Sequence, residues 1–375
     1  MLTVQLKAQL SGVIKSDNVR VTSIKDAFSS NDFTSQKVEV ILTENDLKVH
    51  GTALLDALKA LNIEPSVIIL DGDLLGQNHG DFTSEVIVLG SSGFINGVIN
   101  SAPKSVKFFI VPTSPLLEEL ESAVIIIDES IILKASNEEY AKAFLSVINK
   151  PLALIDFKLN AYLTGSSAEN EWFSTVKNAV SVASKLTKYS NYKQAIILAE
   201  AMLLWVNLNS NVLSKSGESA VYSATKLFMP ELKGSHARFI SLEKTLKLYH
   251  LLFSNDYSAL LSSPNYTENV KLLAEKTGKD PNEYVKNLKV PKKRRLELIY
   301  LLLDKTRDSF IKETGAMLSV LGGIKKIYLA IIKEKETIIP YYKDIKNAVT
   351  VAPYITSAEN ALTLCRDLGV LQCAN

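Results

Sequence analysis

Two apolar runs separated by a small-residue turn organise this chain. Val86 to Leu89 leads into Gly90-Ser91-Ser92-Gly93. A helix-compatible segment follows from Phe94, and a second apolar run from Val106 stops at Pro112-Thr113. Strand, turn, helix, strand in that order predicts one parallel unit of a doubly wound sheet. Ligands of such sheets sit beyond the carboxyl ends of the strands, which puts Gly90 to Gly93 and Pro112 to Ser114 on one cleft. Upstream, Asn31-Asp32 reads as a turn, and Lys37 to Thr43 alternates and then becomes apolar, as a strand does. Thr52 to Leu61 has Leu54, Leu55, Leu58 and Leu61 on one helical face. Ser66 to Leu70 is the next strand, ended by the turn Asp71-Gly72-Asp73. Ala123 to Ile127 and Ile131 to Leu133 predict a hairpin or paired edge strands around Asp128-Glu129, and Pro151 to Asp156 a last sheet-like piece.

From about residue 160 the period lengthens. Helical patterns run over Trp172–Leu186, Tyr192–Val206, Ala220–Phe228, Ala237–Phe253, Tyr266–Thr277, Arg295–Phe310, Met317–Lys333 and Ala358–Asp367. Pro230, Pro264, Pro281, Pro291, Pro340 and Pro353 punctuate them. The expected fold class is α/β: a parallel Rossmann-like sheet domain over 1–156, then an all-helical domain over 157–375.

Composition narrows this only slightly. The 375 residues carry a formal charge of +2, with 22% charged, which neither demands nor excludes a nucleic-acid partner. No run reaches the 18 apolar residues of a membrane span, and the first residues lack a signal peptide's apolar block, so the expectation is a cytoplasmic protein with no membrane contact. Cys365 and Cys373 make neither a disulfide framework nor a C-x-x-C motif. Scarce Gln beside plentiful Ile, Leu, Lys and Glu leans towards thermophile usage. Abundant apolar helical faces make a homodimer an expected partner state.

The turn and its following strand resemble those of the superfamily of dehydroquinate synthase, glycerol-1-phosphate dehydrogenase and iron-containing alcohol dehydrogenases. Those proteins carry a Gly-Gly-Gly-Ser-x-x-Asp turn, then a strand ending in Pro-Thr. Here the turn falls on Gly90, Ser91, Ser92, Gly93, Phe94, Ile95 and Asn96, and the Pro-Thr on Pro112-Thr113. The resemblance implies NAD or NADP, with its pyrophosphate against Gly90, Ser91, Ser92, Gly93 and Asn96, Thr113 beside it, and Asp71 or Asp73 at the adenosine ribose. Glycine has a physical role in such a turn, because backbone approaches diphosphate most closely where no Cβ intervenes. Two of the glycines are serine here, and Asn96 replaces the acid. Serine hydroxyls still donate to phosphate, so a small phosphorylated ligand remains an expected partner.

The same superfamily holds a divalent metal in its helical domain, usually with an acidic residue and two histidines. Glu169, within Leu163 to Asn170, is the candidate acid. The second-ligand pattern, Ser-Gly-Ser-Glu-His-x-x-Ser-His, reads Ser216 to Ala224 here, with Ala220 and Ala224 in the histidine places. The third position falls on His236, in His-Ala-Arg. Glu169 and His236 supply two ligands at most, so no tightly bound metal is expected. Read without the resemblance, His236 is a surface or interdomain residue at a helix start. His250 reads as helix packing, while His50 and His79 are loop residues next to glycines.

Asp71 to Asp73 by itself is a polar turn, and Glu118, Glu119 and Glu121 form a solvated acidic run. The basic run Lys289 to Arg295 is the one alternative contact surface, for nucleic acid, though it lacks aromatic interleaving. Leu318 to Ile332 is amphipathic and reads as packing inside the helical domain. Erosion of glycines, acid and metal ligand together favours a non-catalytic binding or scaffold homologue. The second expectation is an NAD(P)-dependent oxidoreductase for a small phosphorylated substrate.

Overall fold

The computed structural model describes residues 9, 18–70, 82–117, 123–166, 172–184, 192–209, 216–255, 257, 266–285, 290–304, 306–335, 342–356 and 360–373. Two compact units divide the chain: Met1–Val147 with Asn178–Ser210, and Ile148–Lys177 with Asn211–Asn375.

The first unit is built on six parallel strands: β1 (Val19–Val21), β2 (Lys37–Leu42), β3 (Glu64–Ile69), β4 (Glu85–Gly90), β5 (Lys107–Pro112) and β6 (Val124–Ile127). Their order is β1-β6-β5-β4-β2-β3. β4 is buried along its whole length, paired with β2 on one side and with β5 on the other, from Glu85 opposite Lys107 to Gly90 opposite Pro112. This explains its unbroken apolar run, since a parallel strand covered on both faces has no polar side to alternate with. One face buries Val38, Val40, Ile87, Leu89, Phe109 and Ile126 with Leu54 and Leu58 of α1 (Thr52–Ala60). At the amino end of β4 the buried Glu85 carboxylate accepts the N–H groups of Thr34 and Ser35. Helix α2 (Ser92–Ser101) links β4 to β5, the predicted parallel unit.

Two expected strands are helical. Ile131 and Ile132 lie in the short α3 (Glu129–Ile132), because Asp128 caps it: its Oδ1 accepts the Ser130 N–H at 2.9 Å. Pro151 to Asp156 lies inside α4 (Asn137–Thr164), whose residues Leu152 to Ile155 are all buried. A helix buried on every side shows no period, so its apolar run imitates a strand.

The remaining helices are α5 (Trp172–Ser184), α6 (Tyr192–Asn209), α7 (Gly217–Phe228), α8 (Gly234–Ser254), α9 (Thr267–Thr277), α10 (Pro281–Val285), α11 (Lys292–Leu302), α12 (Thr306–Ile332), α13 (Tyr342–Ile355) and α14 (Ala361–Asp367). The single helix expected over Arg295–Phe310 breaks after Leu302. Pro353, expected as a break, lies inside α13. Among the described residues, α12 is the one helix long and apolar enough to cross a membrane, and 11% of its apolar window is buried. The stretch Leu318 to Ile332, expected to pack inside the helical domain, buries only Tyr328 and Ile331 and leaves Val320 53% exposed, because few segments of its own unit cover it.

One carboxylate joins four helices of the second unit. Asp156 of α4 is buried and accepts three hydrogen bonds. Oδ2 takes the Gly217 N–H at 2.9 Å and the Tyr249 hydroxyl at 2.7 Å, and Oδ1 takes the Ala361 N–H at 2.8 Å. Gly217 and Ala361 begin α7 and α14, so the carboxylate meets two positive helix ends. Gly217 has to be glycine, because a Cβ there would stand 2.2 Å from the Tyr249 hydroxyl and 2.8 Å from Leu362 Cβ.

Burial outweighs the three donors and pushes Asp156 up to about 6. A carboxyl raised on folding contributes stability that is complete below its unfolded pKa and is lost as pH rises through the folded one. In urea unfolding, Asp156 is therefore expected to remove about 3 kcal/mol between pH 4 and pH 7, and Asp156→Asn should flatten that slope. Tyr249→Phe should cost about 1–3 kcal/mol at pH 7.

Candidate functional site

Unit one presents a polar edge where its strands end. β4 stops at Gly90, Ser91 is the extended N-cap residue (φ −70°, ψ 159°), and α2 begins at Ser92. The first helical bond runs from the Ile95 N–H to the Ser91 carbonyl at 2.9 Å. The N–H groups of Ser92, Gly93 and Phe94 thus precede the helical ladder and form the positive end of α2. A Cβ built on Gly93 meets nothing within 4 Å, so this end opens into space, whereas one on Gly90 would come within 2.6 Å of the Phe94 ring. The Thr113 N–H donates to the Gly90 carbonyl at 2.8 Å and holds the end of β5 against the turn.

The two serines divide their work. Ser92 is buried and donates its hydroxyl to the Leu116 carbonyl at 2.6 Å, 3.5 Å from the Ser114 hydroxyl. It anchors the chain after β5 instead of facing outward. Ser91 is half-buried and makes no side-chain cap bond. Asn96 is half-buried on α2. Asp71, Asp73 and His79 lie outside the described residues.

Beside this turn, β2 ends in a second polar group that the sequence pattern did not single out. Thr43 donates its hydroxyl to Asp46 Oδ2 at 2.8 Å and accepts the Asp46 N–H at 3.1 Å. Burial raises Asp46, against hydrogen bonds from Thr43 and Thr113 and the charge of His50. Asp46 therefore links the ends of β2 and β5, on either side of β4. His50 lies in a π-helical stretch, Leu47–Gly51, a distortion frequent at functional sites. It was expected in a loop but is nearly buried, and burial with Lys134 lowers its pKa against Asp46 and Asp128. Asp128 itself accepts the Ile24 N–H at 2.8 Å and caps α3. The Thr43-x-x-Asp46 spacing after an apolar strand is a helix-start signature that could have flagged the group.

This edge fits a diphosphate: N–H donors at the start of α2, an open approach at Gly93, and Thr113 alongside. Ser92 is excluded as an outward donor by its bond to Leu116.

In the second unit, Ala220 and Ala224 lie one turn apart on α7, at 6% and 0% exposure. His236, read as a surface or interdomain residue, is 1% exposed in the first turn of α8, which excludes the surface alternative. Its Nε2 stands 3.3 Å from Glu334 Oε2, and its ring is edge-on to Tyr328 at 6.2 Å. Lys233 also pairs with Glu334 and holds that carboxyl below its usual range, helped by His236. Glu169 lies outside the described residues. Among the described residues no three metal-ligating side chains converge. The donors that are described therefore do not fit a transition-metal site: α7 offers methyl groups, and the Glu334 carboxylate beside His236 already carries an ammonium. His250 packs as expected, its Nδ1 2.9 Å from the Thr314 hydroxyl. In the basic run, Lys292, Lys293 and Arg294 are exposed, Arg295 is buried, and Arg294 lies 3.6 Å from Glu297.

No protein-family model and no curated protein matches the sequence. Solved structures do match in fold. An alcohol dehydrogenase from an archaeal halo-thermophile of a Red Sea brine pool is 10% identical, with 96% of this chain and 98% of that one covered and a TM-score of 0.58. An alcohol dehydrogenase from Oenococcus oeni is 10% identical over 92% and 94%, with a TM-score of 0.56. The iron-containing alcohol dehydrogenase of Thermotoga maritima is 8% identical over 93% and 97%, with a TM-score of 0.54. The chain thus has the iron-containing alcohol dehydrogenase fold, a Rossmann-like parallel sheet followed by helices.

Ser92→Ala is expected to leave the buried Leu116 carbonyl without its donor and cost about 1–3 kcal/mol in denaturant unfolding. An unchanged unfolding midpoint would contradict the anchoring role.

Proposed function

We propose that this protein is a binding homologue of the iron-containing alcohol dehydrogenase fold, one that holds a nicotinamide dinucleotide at its sheet edge and does not carry out metal-dependent hydride transfer. The observation that carries this reading is the pair of buried alanines, Ala220 and Ala224, on α7. A methyl group cannot ligate, and the superfamily pattern that Ser216 to Ala224 resembles places histidines there.

The dinucleotide half rests on the strand, turn and helix around Gly90. The backbone N–H groups of Ser92, Gly93 and Phe94 point their partial positive charge at the pyrophosphate. Thr113 stands at the neighbouring strand end, and Ser91 supplies a hydroxyl at the rim. A bound nicotinamide ring would bring hydride chemistry; the residues described here bind and orient its diphosphate.

A second reading, an NAD(P)-dependent oxidoreductase for a small phosphorylated substrate, is supported by Lys150 and Arg238. Both are cationic side chains buried in the second unit, at 8% and 5% exposure. A buried cation can polarise a substrate oxygen without a metal.

Titration of NADH and NADPH by fluorescence should show saturable binding without oxidation by small aldehydes or ketones, and elemental analysis should find well under one zinc, iron or nickel per chain. Gly93→Glu sets a carboxylate in the open approach and should weaken binding at least about tenfold, with little change in melting temperature. Turnover with stoichiometric metal would refute the non-catalytic half. Dinucleotide affinity indifferent to Gly93→Glu would remove the sheet edge as its site.

A further inference from the structure

The second unit holds a cavity that the proposed dinucleotide site does not use. It measures about 490 Å³ and opens to solvent between α4, α5 and α12, and all the residues lining it belong to this one unit. Three rings form its walls: Tyr162 of α4, Phe173 of α5 and Phe310 of α12. The Tyr162 hydroxyl donates to the Leu301 carbonyl at 3.0 Å and to Asp304 Oδ2 at 2.9 Å, which leaves the ring as its contribution. Phe173 meets Phe157 edge-on at 5.7 Å, and Phe310 stacks on Phe253 at 4.6 Å. These second rings hold the wall rings in place, so the shape of the cavity exists before anything enters it. Charge around the walls is uneven. Lys158 pairs with Glu313 at 2.7 Å and lies over the Phe173 ring at 5.6 Å, and the Ser309 hydroxyl also donates to Glu313 at 3.4 Å. That carboxylate is thereby neutralised. Lys177, one turn after Phe173, is exposed and makes no ion pair among the described residues. Thr306, also in the lining, starts α12, so the positive end of a long helix borders the same space.

We infer that this cavity binds a flat, fused-ring aromatic carboxylate, its body against Phe173 and Phe310 and its carboxylate on Lys177. The volume falls within the range of about 300–1,000 Å³ typical of small-molecule sites, which are apolar with a few polar groups that fix orientation. A rigid ring system extends the ring contacts already present in the walls. A flexible acyl chain could cover the same apolar area, but it loses rotamer freedom on binding that a fused ring does not have. A neutral ring would leave the Lys177 ammonium unmatched, and a cation would oppose it. A dinucleotide would bring more negative charge than one open lysine can answer. The inference adds a second ligand to the binding reading above and uses none of its residues.

The probes are naphthoate, its neutral analogue naphthamide, and decanoate, titrated calorimetrically into the full-length protein. Naphthoate is expected to bind saturably, at one site per chain, and more tightly than either of the others. Lys177→Met should weaken naphthoate about threefold to fivefold and leave naphthamide where it was. Phe173→Ala should weaken both aromatic probes at least about tenfold. Ser309→Trp sets an indole into the cavity from an exposed helical position, and should abolish binding with the melting temperature unchanged. NADH affinity should be the same in Lys177→Met and Ser309→Trp as in the wild type. A wild-type protein that binds none of the three probes would overturn the proposal. So would naphthoate affinity indifferent to Ser309→Trp, since the ligand would then sit elsewhere. Decanoate binding more tightly than naphthoate would overturn the aromatic class, and equal affinity for naphthoate and naphthamide would overturn the anionic one. Failure of NADH to bind the wild type, with naphthoate still excluded by Ser309→Trp, would refute the dinucleotide reading and leave this site standing.

Discussion

The carboxylate of Asp156 is the interaction on which the helical unit depends. A single side chain of α4 receives the first N–H of α7, the first N–H of α14 and the hydroxyl of Tyr249 on α8. Helix starts leave N–H groups that the helix cannot satisfy, and burying such an end without an acceptor would cost several kcal/mol. Meeting two ends with one carboxylate removes that cost twice over and fixes where both helices begin. The same arrangement explains a glycine: Gly217 must let Tyr249 approach to within a distance that no Cβ allows. It also sets a limit, since burial pushes Asp156 up to about 6 and stability declines as it ionises.

The sheet unit is held together differently. Its central strands β4 and β5 are buried on both faces, so hydrophobic contact supplies most of the stabilisation there, and polar groups collect where strands stop. At that edge Thr113 is tied to Gly90, Ser92 to Leu116, and Asp46 to Thr43 and Thr113. These bonds shape the edge without closing it, because Gly93 still faces open space. The open N–H groups at the start of α2 thereby lie at one boundary of the unit, where strand polarity in a parallel sheet gathers the strand ends.

The metal question separates fold from chemistry. The iron-containing alcohol dehydrogenase fold extends over nearly the whole chain at about a tenth identity, and the proposed loss of metal chemistry rests on reading Ala220 and Ala224 of α7 in the histidine places of the resembled pattern. Packing constraints can conserve a backbone after side-chain chemistry has changed, because volume and polarity suffice for the first and specific donor atoms are needed for the second.

Residue order alone determined the strand–turn–helix–strand unit around Gly90, the strands at Lys37 and Ser66, and most of the later helices. Those features repeat a local period or carry a local stop signal. Only the tertiary structure decided that Ile131 and Pro151 to Asp156 are helical, because burial on all sides erases the period that tells strand from helix. It alone brought Asp156 to residues 61, 93 and 205 positions away, and placed Asp46 beside Thr113. The same reason covers His236, whose neighbours in sequence suggest a surface and whose neighbours in space, Tyr328 and Glu334, bury it. Burial of a polar group is a sum over distant segments, and no window along the chain contains that sum.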